Sequence, residues 1–408
     1  MLKRIAQSQP KITTDNHAVI YYVLGTLIAL GPFSIDMYLQ AFENIATDFH
    51  TTKHAVELSL TSYFIGISLG QLAYGPIMDK YGRRNPQLIG LLIYIIAAFA
   101  CYFATSLTWL VIARFFLAVG ASAGMVASKA VVRDIFKNNM DVARAMSFLM
   151  LIMGAAPILA PYAGQLVVNH FNWEYIFLFL GGFSILMFFN VLFLLPESST
   201  PNKKVSLKPL SILDKYIGIL SNPEFFTFSI AGGFTIGAMF AYVSDAAILF
   251  QDVYGIENFG LLVGLNALGL IAGSQINRYI IKKIGVLQLT LKISIMLIII
   301  AVLFLINVLT FNNFYASFVL LFIMMTFLGF QNPNCTSLSL NPFGKKAGRA
   351  SALVGSIKMI FGAITSGVLS GIGIKSALPL AIISLVLYIL SALLLFRYNK
   401  RVKLYRNR

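Results

Sequence analysis

Of 408 residues, 58% are hydrophobic and only 11% are charged, where a soluble domain carries roughly 25% charged residues. No soluble core absorbs that much apolar surface. Segments 19–30, 88–104, 179–195, 293–309 and 314–330 hold no Asp, Glu, Lys or Arg, which excludes a water-soluble enzyme and implies a bundle of membrane-spanning helices. The net charge of +16 invites a nucleic-acid reading, but the basic residues sit where membrane insertion places them, so nucleic acid is not an expected partner.

In chain order, a polar, basic tail (1–17) precedes spans predicted at 18–40, 57–77, 86–105, 107–132, 142–168 and 173–195. The first apolar run is too long for a cleavable leader and reads as an uncleaved span. A polar stretch, 196–224, then divides the chain. Spans at 225–250, 259–281, 287–309, 312–335, 347–371 and 376–397 follow, with a basic tail at 398–408. The plan is all-α: a six-helix bundle over 18–195, a central loop and a second six-helix bundle over 225–397, suggesting two pseudo-repeats with a site between them.

The odd-to-even loops carry only Lys53 and Lys375. The other side takes Lys3, Arg4, Lys11, Lys80, Arg83, Arg84, Arg133, Lys137, Arg144, Lys203, Lys204, Lys208, Lys215, Arg278, Lys282, Lys283, Lys345, Lys346, Arg349 and the C-terminal tail. By the positive-inside rule that side, with both termini and the central loop, is cytoplasmic, in an inner (plasma) membrane. The basic tail is also suited to anionic lipid.

After the second span the chain reads Gly70-Gln-Leu-Ala-Tyr-Gly75-Pro76-Ile-Met-Asp79-Lys80-Tyr-Gly82-Arg83-Arg84. Gly75 and Gly82 permit close backbone approach and a tight turn. Lys80, Arg83 and Arg84 hold the turn in the cytoplasm, and Asp79 can satisfy the free N–H groups of a helix start. The segment resembles the signature of the major facilitator superfamily, in which the partner of the aspartate is the eleventh span, here starting near Ala347. A degenerate second copy runs from Gly273 through Asn277 and Arg278 to Lys282, Lys283 and Gly285. The fourth span, with Arg114 ahead of Gly120 and Gly124, resembles the arginine motif of the same superfamily, with Leu117 where glutamine is usual. The fifth, Gly154-Ala-Ala-Pro157-Ile-Leu-Ala-Pro161-Tyr-Ala-Gly164, resembles the antiporter motif; its prolines and small residues would bend the helix and admit close neighbours.

Ser34-Ile-Asp36-Met37-Tyr38-Leu39, Ala130-Val-Val-Arg133-Asp134-Ile-Phe136 and Phe240-Ala-Tyr-Val-Ser244 together resemble the Bcr/CflA group of drug-resistance exporters. That resemblance implies a monomeric transporter exchanging protons for small amphipathic compounds, with no cofactor. The chain departs from the group at Gln40, Glu174, Asp245 and Lys358. A dedicated metabolite or siderophore transporter is the alternative, favoured by Asp245 and Lys358; a receptor that kept the fold without transport is a third reading, which Asp36 and Arg114 oppose.

A charge at mid-bilayer is costly and marks a functional site. Asp36 and Arg114 lie at compatible depths in helices that line the cavity of this fold, so Asp36 is the expected proton carrier and Arg114 its tuning partner: burial favours the neutral carboxyl and a nearby guanidinium the charged one. Tyr38, Asp245, Asn266, Gln331, Asn334 and Lys358 are candidate substrate contacts. Lys129 and Lys292, near cytoplasmic helix ends, are expected to snorkel. The four histidines, His17, His50, His54 and His170, fall outside the predicted spans and form no metal-ligand set. Cys101 and Cys335 read as small buried hydrophobes. No nucleotide-binding loop is present, so neither an enzyme nor an ATP-driven pump is expected.

Overall fold

The structure, a computed structural model, describes residues 17–136, 139–202, 205–257, 259–373 and 376–406. Lys3, Arg4, Lys11, Lys137, Lys203, Lys204, Lys375 and Arg408 lie outside the described residues, as do the side chains of Arg144, Lys345, Lys346, Lys403 and Arg406 and the surroundings of Gly154. Among the described residues every regular element is helical. In chain order they are α1 (His17–Asp36), α2 (Phe42–Asp48), α3 (Lys53–Tyr81), α4 (Arg84–Tyr102), α5 (Leu107–Ile135), α6 (Asn139–His170), α7 (Tyr175–Leu194), α8 (Pro209–Leu220), α9 (Pro223–Ala247), α10 (Gly260–Ile284), α11 (Val286–Thr310), α12 (Phe314–Leu340), α13 (Ala347–Ile372) and α14 (Leu378–Arg406).

Leaving aside the short α2 and α8, twelve helices remain, from 19 residues in α4 to 32 in α6. Even the shortest extends about 28 Å, enough for a hydrocarbon core. The helices begin where the sequence supplies caps: Thr52 accepts from Ala55 N, Ser106 from Trp109 N, Asn222 from Phe225 N and Asn313 from Ala316 N. Each satisfies an N–H that the helix itself leaves open. Ten of the twelve are apolar enough to span a membrane by composition alone. Of the other two, α3 reads as more polar because Glu57, Ser59, Ser68 and Gln71 are turned into the protein and buried there.

The outer faces are greasy: Leu92, Ile96, Phe116, Phe193, Leu303 and Leu393 are among dozens of exposed large apolar side chains. Water would not tolerate a belt of this extent, and a bilayer covers it. The first half packs α1 on α5, α6 and α7, with α3 and α4 against α5; the second packs α9 on α12, α13 and α14, with α10 and α11 against α12. The halves meet through α3 with α13 and α6 with α10. These pair the second helix of one half with the fifth of the other in both senses, so exchanging the halves maps one contact onto the other. That is the packing expected of two pseudo-repeats.

The central stretch, read from sequence as a polar loop, contains α8. Pro209 starts it, and Tyr216 is buried while Leu210, Leu213 and Ile217 face outward. Tyr216 packs with Phe225, Ala350, Leu353 and Val354 of the second half, and its hydroxyl donates to Leu72 O of α3 at 3.0 Å. Burial pushes that hydroxyl up to about 12, so it stays a donor at neutral pH.

Helix crossings are tightest where α10 meets α12. A Cβ on Gly273 would sit 1.9 Å from Thr326 O, and one on Gly329 2.2 Å from Leu270 O. Gly273→Ala is expected to destabilise the fold by about 1–3 kcal/mol through overpacking, whereas Gly182→Ala, with nothing within 4 Å, is expected to be neutral or slightly stabilising. Thermal unfolding of the two purified variants checks this; equal melting temperatures would show that the crossing is not tight.

Candidate functional site

Asp36 ends α1. The helix stops short of residue 40 because the next turn folds inward: Tyr38, Leu39, Gln40 and Ala41 are all buried, and Tyr38 meets Phe42 and Phe177 with ring centroids 5.3 and 5.7 Å apart. Asp36 is only 6% exposed. Arg114, on α5, is wholly buried. Its Nη1 donates to Ser34 O at 2.7 Å. Its guanidinium lies 3.9 Å from the ring centre of Tyr38, 4.6 Å from that of Tyr63 and 5.9 Å from that of Phe177. A weakly hydrated planar cation on desolvated aromatic faces is a stable arrangement that lysine does not reproduce. Among the described residues Arg114 and Asp36 form no ion pair; the charges of both reach Tyr63, whose hydroxyl donates to Gly31 O. Serine and tyrosine hydroxyls complete the cluster: Ser34 with Tyr94, and Tyr38 with Ser59, each at 2.6 Å.

Two further carboxyls are enclosed where the halves meet on the face opposite the basic loops. Glu57 of α3 is fully buried, and neither of its oxygens has a hydrogen-bond donor among the described residues. Its Oε2 lies 3.6 Å from His54 Nδ1. Asp245 of α9 is 2% exposed, with Oδ2 likewise unpartnered, and lies within electrostatic range of Glu57 and Asp252. The sequence reading missed Glu57, because a carboxylate at the first residue of a predicted span looks interfacial. Its signal was the helical spacing Glu57, Thr61, Ser68, which lies along one side of α3, where Thr61 and Ser68 bond Ser366 and Ser356 of the second half.

This junction closes that face. Lys53 Nζ bonds Asp252 Oδ1 at 2.7 Å and Gln251 Oε1 at 3.0 Å across the halves, and Glu43 Oε2 at 3.1 Å within its own, which accounts for Lys53 on the side poor in basic residues. Thr61 donates to Ser366 Oγ at 3.0 Å, and Ser370 donates to His54 O. The Phe64 and Phe240 rings meet at 4.3 Å. Where α6 crosses α10, Cβ atoms on Gly260 and Gly264 would fall 2.9 Å from Pro161 O and 3.0 Å from Ile158 O. Pro157 and Pro161 both lie inside α6. A Cβ on Gly164 would sit 2.3 Å from Met37 O, so the small residues of this helix do admit close neighbours.

The polar residues of the second half divide. Asn266 donates to Tyr242 OH at 2.8 Å, Gln331 to Ser294 Oγ at 2.8 Å, and Asn334 exchanges amide bonds with Asn277 at 2.9 and 3.1 Å. All three are buried. These bonds join helices of one half; Asn266 Oδ1 and Gln331 Oε1 are buried without a hydrogen-bond partner among the described residues. Lys358 differs: half-buried near the middle of α13, it donates from Nζ to Asn332 Oδ1 and to Thr336 Oγ1, the latter at 2.6 Å. Asn332 was not foreseen from the sequence.

At the basic face Asp79 binds Arg83 at 2.9 Å, Arg83 binds Asp134 at 2.9 Å, and Arg349 of α13 approaches Asp79 at 3.6 Å. The link to the eleventh span therefore runs through a side chain. Glu197 accepts from Arg83 N and Arg84 N at 2.7 and 3.1 Å, while Arg84 donates to Val191 O and Leu192 O. Gly82, at φ 87°, takes the turn that only glycine adopts freely. Gly75 does not need its lack of a side chain in this arrangement: a Cβ there would meet nothing closer than 3.6 Å.

The family profile described as Major Facilitator Superfamily matches residues 24–366. The MFS-type transporter YdgK of Bacillus subtilis is 32% identical over 396 residues, 95% of this chain and 97% of its own length. The bicyclomycin resistance protein homolog of Haemophilus influenzae is 27% identical, covering 89% of this chain and 91% of its own. Among solved structures, a D-xylose-proton symporter aligns at a TM-score of 0.71 and 14% identity over 93% of this chain and 97% of that one, which speaks to the fold.

Arg114→Lys, which keeps the charge and loses the planar stack, is expected to lower stability by about 2 kcal/mol, read as a fall in melting temperature; no fall would show that the aromatic stack adds nothing. A Thr61→Cys, Ser366→Cys pair is expected to cross-link on mild oxidation and to arrest turnover until reduced, as followed by gel shift and flux.

Proposed function

The chain belongs to the major facilitator superfamily, and from that premise we propose that this transporter exports small amphipathic compounds in exchange for protons. It works as a monomer in the inner (plasma) membrane, with both termini and the basic face in the cytoplasm and the tail against anionic lipid. The six-helix halves rock about their α3–α13 and α6–α10 contacts, exposing a central site to one side at a time. The relatives named for bicyclomycin and multidrug resistance support the drug-export reading.

One observation carries the coupling: Asp36 is enclosed at the end of α1 beside a cluster already organised around the buried Arg114. A carboxyl shut away from water favours its neutral form; hydration on opening favours release, and the arginine field biases that step. Alternation of the two environments lets the proton gradient drive the cycle, each charge moved being worth about 2.3 kcal/mol per 100 mV. A dedicated metabolite or siderophore carrier is the second reading, favoured by the half-buried Lys358.

In proteoliposomes, substrate-evoked proton movement and uphill export are expected to fall to background in Asp36→Asn, with passive exchange and membrane insertion retained. Export at the wild-type rate in that variant would refute the assignment.

A further inference from the structure

Glu57 is sealed into the seam between the halves. Along α3, Lys53, Thr61, Phe64 and Ser68 recur at helical spacing, and each touches the second half: Lys53 bonds Asp252, Thr61 bonds Ser366, the Phe64 ring meets that of Phe240, and Ser68 bonds Ser356. Glu57 stands on the same side of the helix, four residues from Lys53 and four from Thr61. It is fully buried, and neither oxygen has a donor among the described residues. The Lys53–Asp252 and Phe64–Phe240 contacts bracket it along α3. They also bracket Asp245 along α9, which is 2% exposed with Oδ2 unpartnered.

Countercharge is scarce around Glu57. Residues 361–372 of α13 and 107–113 of α5, which pack against α3, contain no ionisable side chain. Lys53 is committed to Asp252 and to Glu43 of α2. Asp48 of α2 accepts from Trp173 Nε1 at 2.6 Å. His54 Nδ1, at 3.6 Å from Glu57 Oε2, is beyond a hydrogen bond. An ionised carboxylate in this place would exchange its hydration for no donor, and a second one in the same seam would repel it; a protonated carboxyl avoids the larger part of both costs. Opening at this face returns Glu57 to water, where the ionised form is solvated.

We propose that the seam is a proton-gated closure: the halves meet at the face opposite the basic loops only around a neutral Glu57. The proton comes from the medium on that face and returns there when the seam opens. Glu57 lies four residues from the start of α3, a depth of about 6 Å, so it positions the halves and carries no proton across the membrane. The proposal rests on the transport reading and adds to it a step that Asp36 does not perform. The closed form holds one proton more than the open form, so the ratio of closed to open falls as pH rises, by at most about tenfold per unit. Acid on the face opposite the basic loops therefore favours the return to the closed seam.

Spin labels on Asn44→Cys of α2 and Glu257→Cys ahead of α10, exposed residues of the two halves at this face, report the closure by double electron–electron resonance in phosphatidylcholine nanodiscs. Cys101 and Cys335 are buried, and the protein without the added cysteines gives the background labelling. With no substrate present, the short-distance population is expected to fall as pH is raised from about 5 to about 9, the short-to-long ratio changing by up to about tenfold per unit. Glu57→Gln and Glu57→Met, neutral and of similar length, are expected to hold the short distance at every pH. Glu57→Asp and Asp36→Asn are expected to keep the response. A wild-type distance indifferent to pH, a response that survives in Glu57→Gln, or its loss in Asp36→Asn overturns the proposal. So does a seam that opens in both neutral variants, or a failure of both to fold by size exclusion, because the site would then require the ionised carboxylate. The distances are measured without flux, so a pH-gated seam in a protein that moves no protons would refute the transport reading alone. Proton-driven export through a seam indifferent to pH would refute the gate alone.

Discussion

The guanidinium of Arg114 organises the first half. It is a permanent charge shielded from both lipid and water, and the helices around it are arranged to accept it: α1 offers Ser34 O and, in the turn that follows, the Tyr38 ring, α3 offers Tyr63, and α7 offers Phe177. An unsatisfied charge in this environment would be costly, so the faces of these helices have little freedom to rotate. The inward turn after Asp36 sets the Tyr38 ring over the cation. Asp36 is thereby held at the edge of a rigid cluster, and what can change about it is its access to water.

The second half answers the same constraint differently. It has no buried arginine among the described residues and spreads its polar load over neutral clamps: Asn277 with Asn334, Gln331 with Ser294, and Asn266 with Tyr242. Each pairs an amide N–H that hydrocarbon cannot, while Asn266 Oδ1 and Gln331 Oε1 are buried without a partner among the described residues. Lys358 is the exception, a cation among neutral partners. The half that binds α1 is thus stiffened by a charge, and the half opposite it by amides, with a lysine left over.

The helix count, the pseudo-repeat and the basic face were legible because they depend on run length and the spacing of charged residues, which survive without coordinates. So was Gly82, whose turn demands glycine. Partnership was not legible. Asn334 and Lys358 look alike in sequence, as polar residues in apolar spans, yet one exchanges amide bonds with Asn277 and the other sets a cation on Asn332 and Thr336. Rotation about a helix axis decides this, and a run of apolar residues on every side gives little indication of that rotation. Glu57 was hidden for a related reason: span ends are uncertain by a few residues, and four residues separate an interfacial carboxylate from an enclosed one. α8 escaped notice because its apolar face is short and lies in a stretch rich in proline, serine and lysine.

That helix changes how the two halves are joined. Tyr216 is seated on the second half while its hydroxyl holds a carbonyl of α3 in the first, and Leu210, Leu213 and Ile217 point outward at the level of the basic loops. The connection is therefore no slack tether. It acts as a strut with one apolar edge exposed and the other spanning the seam between the bundles. Any tilt of one half against the other must carry this strut with it or break the Tyr216 bond.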